Sequence, residues 1–123
     1  MGSYSDDEST VVRDPSPLGP SRPDSRKPYL EQISGSDPPI KHWLALAEMI
    51  LGRAASSHIH IDSQSLSRQH LRLVQNDGEV TCTDLDSANG LLLNGIRAHS
   101  ATLRDGDILQ LGDVILIFRE GVP

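Results

Sequence analysis

Two arginines of this chain stand beside groups that commonly bind anions. Arg53 follows Gly52 at the end of an apolar stretch, and Arg68 follows Ser67 in the run Ser-Arg-Gln-His at residues 67–70. An arginine side chain presents a planar fork of N–H donors that matches the oxygens of a phosphate, and the hydroxyl of Ser67 adds a further donor. These residue types indicate a phosphate-binding site, provided that the fold brings the two runs together.

A third run carries groups that suit a peptide ligand. In Ser-Ala-Asn-Gly at residues 87–90, Asn89 offers one acceptor and two donors to the main chain of an extended peptide. His70 is expected to hydrogen-bond to the backbone and to brace its loop. All three runs lie where a predicted strand meets a loop, and a rigid sheet can hold side chains from several loops in one place. The residue pattern alone leaves open whether these loops converge.

The elements that must position these groups are predicted to be short β-strands. From residue 28 onward, short apolar stretches alternate with turn residues, among them Asp77-Gly78, Asn89-Gly90 and Asn94-Gly95. Such pairs supply the positive φ that tight hairpin turns require, and many short strands at this spacing are typical of an antiparallel sandwich or barrel. Residues 43–51 combine a helix-forming composition with strand-like alternation, and the neighbouring strands favour a strand there.

The first 27 residues differ in composition from the rest. Beyond the initiator methionine they contain four aliphatic or aromatic residues and four prolines, among many serines and aspartates. Such a segment buries too little apolar area to offset the entropy lost on ordering. We therefore predict a disordered tail at residues 1–27 and one folded domain at residues 28–123. Val122-Pro123 follow the last predicted strand closely, which is consistent with a piece of a longer protein.

Charge and composition argue against several classes of protein. The net charge is −6, and five acids and four bases in residues 1–27 leave −5 on the remainder, so a nucleic-acid-binding surface is not expected. The longest apolar run is too short to cross a bilayer, and the acidic N-terminus is unlike a secretory signal. The single cysteine, Cys82, lies in a predicted strand and is expected to be buried. We expect a soluble cytoplasmic protein without membrane contact or cofactor.

Neither catalysis nor metal binding is favoured by the residue pattern. Ser67, His70 and Asp84 are the residue types of a hydrolase triad, but their short spacing and the lack of a nucleophile elbow argue against an enzyme. His58 and His60 have no third metal ligand near them in the sequence, so we predict no metal site.

Five short motifs follow one another along the predicted domain. They are Leu-Gly-Arg at residues 51–53, Ser-Arg-Gln-His at 67–70, Asp-Leu-Asp-Ser-Ala-Asn-Gly at 84–90, Leu-Asn-Gly at 93–95 and Leu-Arg-Asp-Gly-Asp-Ile-Leu-Gln-Leu-Gly at 103–112. In this order and spacing they resemble a forkhead-associated (FHA) domain, from about residue 28 to residue 119. The chain is similar in particular to small bacterial FHA regulators that bind phosphothreonine.

The resemblance implies an antiparallel β-sandwich of about eleven strands whose loops at one end bind a phosphothreonine peptide. By position, Arg53 and Ser67 resemble the phosphate ligands, and Arg68 resembles the second cation of bacterial members with a Ser-Arg-x-His motif. Asn89 resembles the residue that holds the peptide backbone next to the phosphothreonine. The residues expected to support the site structurally are Gly52, His70, Ser87 and Gly90.

Two positions depart from the family pattern. Ala88 stands where many members have threonine, which removes one hydroxyl contact to a ligand and is expected to alter affinity. Leu91 stands where threonine usually follows Asn-Gly. Neither change touches the expected phosphate ligands.

A slot for the γ-methyl group of the ligand would favour phosphothreonine over phosphoserine by roughly 1–3 kcal/mol, about 10–200-fold.

The tail contains a candidate phosphorylation site. Thr10 follows Asp6-Asp7-Glu8-Ser9 and precedes Val11-Val12, which resembles the phosphorylatable tails of small bacterial FHA regulators. The expected partners are therefore a phosphothreonine-containing protein or peptide, a Ser/Thr protein kinase, and the chain's own tail, either in the same molecule or in a second copy.

The alternative hypothesis is an FHA-like interaction scaffold whose phosphate pocket is inactive. Ala88 and the acidic charge of the domain favour it, because both weaken the case for an anionic ligand. The intact set of Arg53, Ser67 and Asn89 argues against it. The two hypotheses predict opposite effects of replacing Arg53.

Overall fold

The computed structural model describes residues 27–121, which form eleven β-strands in two sheets. The predicted tail (apart from Lys27) and its Thr10 lie outside the described residues. Residues 27–121 contain no helix that is long and apolar enough to cross a lipid bilayer. The strands are β1 (Tyr29–Gln32), β2 (Ile40–Trp43), β3 (Glu48–Gly52), β4 (Ile59–His60), β5 (Leu71–Asn76), β6 (Glu79–Asp84), β7 (Leu91–Leu93), β8 (Ile96–Ala98), β9 (Ser100–Thr102), β10 (Ile108–Leu111) and β11 (Val114–Arg119).

The two sheets form a sandwich. One has five strands in the order β9-β6-β5-β3-β4, and the other has six in the order β2-β1-β11-β10-β7-β8. Neighbouring strands run antiparallel except β3 and β4, which pair in parallel through Leu51 with Ile59 and Gly52 with His60. The predicted antiparallel sandwich of about eleven strands is confirmed, with this one short parallel pairing as a local exception.

Alternation along the strands builds one core between the sheets. In β11, Val114, Leu116 and Phe118 are buried, whereas Ile115 and Ile117 between them are only partly covered. Successive side chains of a strand face opposite sides, so this period of two gives the strand one apolar inner face. Strands of both sheets contribute to the same cluster of buried apolar residues, and the sheets therefore close on each other.

Two tight turns have the backbone conformation that their sequences predict. Asp77-Gly78 joins β5 to β6 and Asn94-Gly95 joins β7 to β8, and all four residues have positive φ angles. Both central positions of a type I′ hairpin turn require positive φ, which Asn, Asp and Gly adopt most readily. These turns fix the register of their hairpins and thereby decide which side chains reach the core.

Both ends of the described chain lie at the same end of the sandwich. The Leu44 N–H donates to the Pro28 carbonyl oxygen, and the side chain of Gln75, near the end of β5, donates to the Leu44 carbonyl oxygen. The backbone of Gly121 passes so close to Lys27 that a Cβ on the glycine would overlap the Lys27 carbonyl oxygen. We call this the terminal end. The opposite end, where β3 finishes and β5 begins, is the loop end.

Residues 43–51 do not form one continuous strand. β2 ends at Trp43 and β3 begins at Glu48, and residues 44–47 between them form a loop. The Gln75 side chain donates to the carbonyl oxygens of both Leu44 and Leu46, which therefore bond to a side chain instead of a neighbouring strand. The expectation of a strand throughout this segment was wrong. The loop is held by Gln75, about thirty residues away, and the local alternation of residues 43–51 cannot show that contact.

Cys82 provides a chemical test of the core. It lies in β6 with no exposed surface, and burial raises the pKa of its thiol to about 11. The thiolate is the reactive form of cysteine. We expect the folded protein to resist a thiol-specific reagent at mildly alkaline pH and the denatured protein to react rapidly, as followed by the absorbance of the released chromophore. Rapid modification of the native protein would contradict this buried position.

Candidate functional site

Main-chain pairing places the first two sequence runs side by side. Beyond the end of β3, the Arg53 N–H donates to the Ser67 carbonyl oxygen at 3.0 Å, and the Ala54 N–H donates to the Arg68 carbonyl oxygen at 3.1 Å. These bonds extend the pairing of β3 with β5 into the loops. Arg53 and Ser67 are therefore direct neighbours at the loop end of the five-stranded sheet.

Gly52 permits this close approach. A Cβ atom built on Gly52 would overlap the carbonyl oxygen of Arg68 and lie 3.1 Å from the Cα of Gln69. Both are main-chain atoms, so no rotation of a side chain relieves the overlap. Any other residue at this position would push the two segments apart, and with them Arg53 and Ser67.

His70 joins the second run to the third. The ring is fully buried, its Nδ1 accepts the Ser67 N–H at 3.1 Å, and its Nε2 lies 2.9 Å from the Gly90 carbonyl oxygen. Because Nδ1 accepts a hydrogen bond, the ring proton is on Nε2 and is donated to Gly90. One side chain thus ties the loop before β5 to the loop before β7.

A compact set of hydrogen bonds shapes the third run. The Ser87 hydroxyl donates to Asp84 Oδ1 at 2.5 Å and the Ser87 N–H donates to Asp84 Oδ2 at 3.2 Å. The Gly90 N–H in turn donates to the Ser87 hydroxyl oxygen at 2.9 Å, and Gly90 has a φ of 74°. Glycine adopts this left-handed conformation without strain. Residues 87–90 therefore form a fixed turn with Asn89 exposed at its tip.

The Ser67 hydroxyl connects this turn to the phosphate-binding candidates. Its oxygen accepts the Ala88 N–H at 3.0 Å, which leaves the hydroxyl proton to donate elsewhere. Ala88 makes this bond with its main-chain N–H, so alanine at this position, in place of the threonine of many family members, loses no hydrogen bond within the protein.

The second departure from the family pattern, Leu91, is buried. Its side chain belongs to the core, which explains an apolar residue there.

The two arginines are held differently. Arg53 is half-buried, and its Nε donates to the Leu66 carbonyl oxygen at 3.1 Å. Within residues 27–121 its two terminal nitrogens have no hydrogen-bond partner, so the end of the fork remains available to a ligand. The Arg68 side chain is exposed and has no partner in this part of the chain either. The fold anchors Arg53, whereas it leaves the Arg68 side chain free to adjust.

Asn89 is positioned by a residue that the sequence did not single out. The Asn89 amide nitrogen donates to the Ser65 carbonyl oxygen at 2.7 Å, while the Ser65 hydroxyl oxygen accepts the Asp113 N–H at 3.0 Å. Ser65 therefore links Asn89 to the turn between β10 and β11. One serine among several in a polar loop carries no signal that would reveal this role.

Several residues considered for catalysis or metal binding have structural partners. His70 accepts the main-chain N–H of Ser67 rather than contacting its hydroxyl, so a base is not placed on a nucleophile. The His58 Nδ1 accepts the Ile50 N–H at 2.9 Å. Across residues 27–121 there is no group of three or more His, Cys, Asp or Glu side chains that could hold a metal ion.

The arrangement therefore combines an anchored guanidinium, a hydroxyl and an exposed amide at one end of a β-sandwich. The FHA domain family model matches residues 49–112, just over half of the chain. The chain belongs to the FHA domain family. The match spans Gly52, Arg53, Ser67 and Asn89, and the sequence resemblance to FHA domains is confirmed.

Curated relatives of this chain are longer than the chain itself. The chain is 38% identical over 71 residues to the ABC transporter ATP-binding/permease protein Rv1747 of Mycobacterium tuberculosis, covering 58% of this chain and 8% of that protein. It is 36% identical over 70 residues to the oxoglutarate dehydrogenase inhibitor of Corynebacterium efficiens, covering 57% of this chain and 49% of the inhibitor. The chain thus spans half or less of the length of these curated relatives.

Solved structures agree with the family. An FHA domain studied for phosphothreonine-dependent interactions superimposes with a TM-score of 0.73 and 26% identity, and the alignment covers 79% of this chain and 99% of that domain. The likeness therefore extends over nearly the whole of that FHA domain.

His70 offers a test of how the FHA loops are held. Replacing His70 by Leu leaves the Ser67 N–H and the Gly90 carbonyl oxygen without their partners, and each buried unsatisfied group costs about 1–3 kcal/mol. Because the Gly90 carbonyl is buried and the Ser67 N–H only partly so, we expect the free energy of unfolding to fall by about 1–4 kcal/mol in urea denaturation. The exposed His99→Leu variant is the matched control and should change it by less than about 0.5 kcal/mol. Equal stability of both variants would contradict the bracing role.

Proposed function

We propose that this FHA protein is a non-catalytic module that binds phosphothreonine peptides through Arg53, Ser67, Arg68 and Asn89. The observation that carries the proposal is that Arg53 and Ser67 are bonded main-chain neighbours and that both side chains keep donors without a partner in residues 27–121: the terminal nitrogens of Arg53 and the hydroxyl proton of Ser67. A phosphate needs this kind of partner, because its oxygens accept several charge-assisted hydrogen bonds at once.

The electrostatic setting favours a local rather than a general attraction. The part of the chain after residue 27 carries a net charge of −5, so its overall field repels an anionic peptide. Affinity must then come from short contacts to Arg53 and Arg68, which act within a few ångströms. We expect no measurable binding of peptides that lack a phosphate and clear binding when the phosphate is present.

Two further considerations support a phosphothreonine reader. One FHA domain of similar structure was studied for phosphothreonine-dependent interactions. Asn89 is fixed through Ser65 yet keeps its amide oxygen for the main chain of a bound peptide. We assign the protein the role of an adaptor or regulator in the cytoplasm, acting downstream of a Ser/Thr protein kinase.

The direct test measures phosphopeptide binding by fluorescence anisotropy. We expect the protein to bind a degenerate phosphothreonine library more tightly than the matching phosphoserine library, and not to bind the unphosphorylated one. Arg53→Ala should weaken phosphothreonine binding at least tenfold, because it removes the anchored guanidinium. Arg104→Ala removes the same charge from an exposed position near the terminal end and should leave affinity unchanged.

The outcomes separate the proposal from its alternative. Retained phosphopeptide affinity in a folded Arg53→Ala variant would contradict the site assignment. A well-folded wild type that binds no phosphopeptide would instead favour the interaction scaffold with an inactive pocket. In that case Arg53→Ala should leave binding to the protein partner unchanged.

We further propose that residues 1–27 act as a tethered ligand of the FHA domain at residues 28–123. Phosphorylated Thr10 would dock at the candidate site of its own molecule or of a second copy. The tail joins the domain at the terminal end, opposite the loops. A flexible chain with the length of residues 11–27 has a span of about 23 Å, and fully extended it covers about 56 Å. The site lies roughly eight strand residues away, or about 26 Å, so docking within one molecule requires a partly extended tether.

Installing phosphothreonine at position 10 tests this regulation. We expect the modified protein to bind an exogenous phosphothreonine peptide at least tenfold more weakly, because the tail competes at high effective concentration. The control carries Thr10→Ala and should bind like the unmodified protein. Light scattering then distinguishes a monomer that binds its own tail from a dimer that exchanges tails. Equal peptide binding by modified and unmodified proteins would contradict tail docking.

A further inference from the structure

Arg97 places a third guanidinium beside the candidate site. It lies in β8 opposite Leu92, and its side chain reaches back to the third run. A Cβ atom built on Gly90 would lie 2.5 Å from Nη1 and 3.5 Å from Cζ of Arg97. The guanidinium therefore rests against the Gly90 backbone, in space that exists because this residue is a glycine.

The backbone under Arg97 is fixed from two sides. The Gly90 N–H donates to the Ser87 hydroxyl oxygen, and the Gly90 carbonyl oxygen accepts a hydrogen bond from Nε2 of the buried His70 ring. The backbone against which this guanidinium rests is thus held by the same hydrogen bonds that shape the loop. Asn89 precedes Gly90 directly, and under the proposed function it binds the peptide main chain beside the phosphothreonine.

Arg97 has no counter-ion of its own. Its side chain is exposed, and no carboxylate of residues 27–121 lies within ion-pair distance of it. By contrast, Arg72 pairs with Glu48 at 2.6 Å and Arg119 pairs with Glu31 at 3.5 Å. In a domain of net charge −5, an unpaired arginine beside the ligand loop is a local attractor for anions.

We propose that Arg97 forms a second anion subsite, which binds a carboxylate side chain of the ligand within four residues of the phosphothreonine. The inference rests on the proposed function, because it takes the peptide to be anchored at Arg53 and Asn89. Adjacent residues of an extended peptide are about 3.3 Å apart, so a side chain a few positions from the phosphothreonine reaches past Gly90. The subsite therefore makes the protein selective for acidic phosphopeptides, despite its own negative charge.

The tail sequence supplies a suitable probe. A labelled peptide of residues 4–13 with phosphothreonine at position 10 carries three carboxylates within four residues, at Asp6, Asp7 and Glu8. Its neutral counterpart has Asn, Asn and Gln at these positions. Both peptides are titrated against the full chain and its Arg97→Gln variant by fluorescence anisotropy, at low and high ionic strength. Arg104→Gln, with the same charge change near the terminal end, is the matched control.

We expect the wild type and Arg104→Gln to bind the acidic peptide about two- to five-fold more tightly than the neutral one at low salt. Added salt should reduce this preference, since the pair is exposed. Arg97→Gln should bind both peptides equally, and Arg97→Lys should restore part of the preference.

Three results would overturn the inference or its basis. An Arg97→Gln variant that keeps the full preference for the acidic peptide contradicts the subsite. A wild type that binds both phosphopeptides equally contradicts it as well. A wild type that binds neither peptide contradicts the proposed function, and therefore also the subsite, which depends on it.

Discussion

The buried imidazole of His70 is the constraint on which the loop end depends. Its two nitrogens face different segments, and both are used: one accepts the Ser67 N–H and the other donates to the Gly90 carbonyl oxygen. The His70 main chain also bonds to the segments on both sides, since its N–H donates to the Leu51 carbonyl oxygen in β3 and its carbonyl oxygen accepts the N–H of Leu85, directly after β6. Because the ring has no access to water, losing either bond would leave a buried polar group unpaired. Loops that share such a partner have few ways to rearrange separately.

Rigidity at this end bears on binding strength. A ligand that meets a mobile loop loses affinity to the entropy of ordering it. Here Arg53 is tied through Nε to Leu66, and Asn89 is tied through its amide nitrogen to Ser65. Under the proposed function, the ligand would be bound by the terminal nitrogens of Arg53 and the amide oxygen of Asn89, in side chains that the fold already holds in place. Arg68 is the exception, and its freedom suits a contact that adapts to different peptides.

Apolar alternation and Asx-Gly turns are local signals, and they predicted most of the short strands along the chain and an antiparallel sandwich or barrel; the choice of the sandwich came from the resemblance to FHA domains. These signals did not reveal β4, β8 and β9, which are two or three residues long and have mostly exposed side chains. The candidate site residues came from a family resemblance, and their convergence required the fold. Ser65 and Arg97 lay beyond sequence reasoning because their roles depend on contacts with Asn89, Asp113 and Gly90, which are distant in the chain. The break at residues 44–47 was missed for the same reason.

The positions of the first and last described residues have a consequence for how such a domain is combined with others. Lys27 and Gly121 come together at the terminal end, with a glycine needed where their backbones pass. A unit whose entry and exit points nearly coincide can be inserted into a surface loop of another protein with little disturbance to either fold. The loops that carry Arg53 and Asn89 would then project away from the host. Such a domain can therefore be placed at a terminus or in the middle of a larger chain, and in both positions its loop end stays exposed.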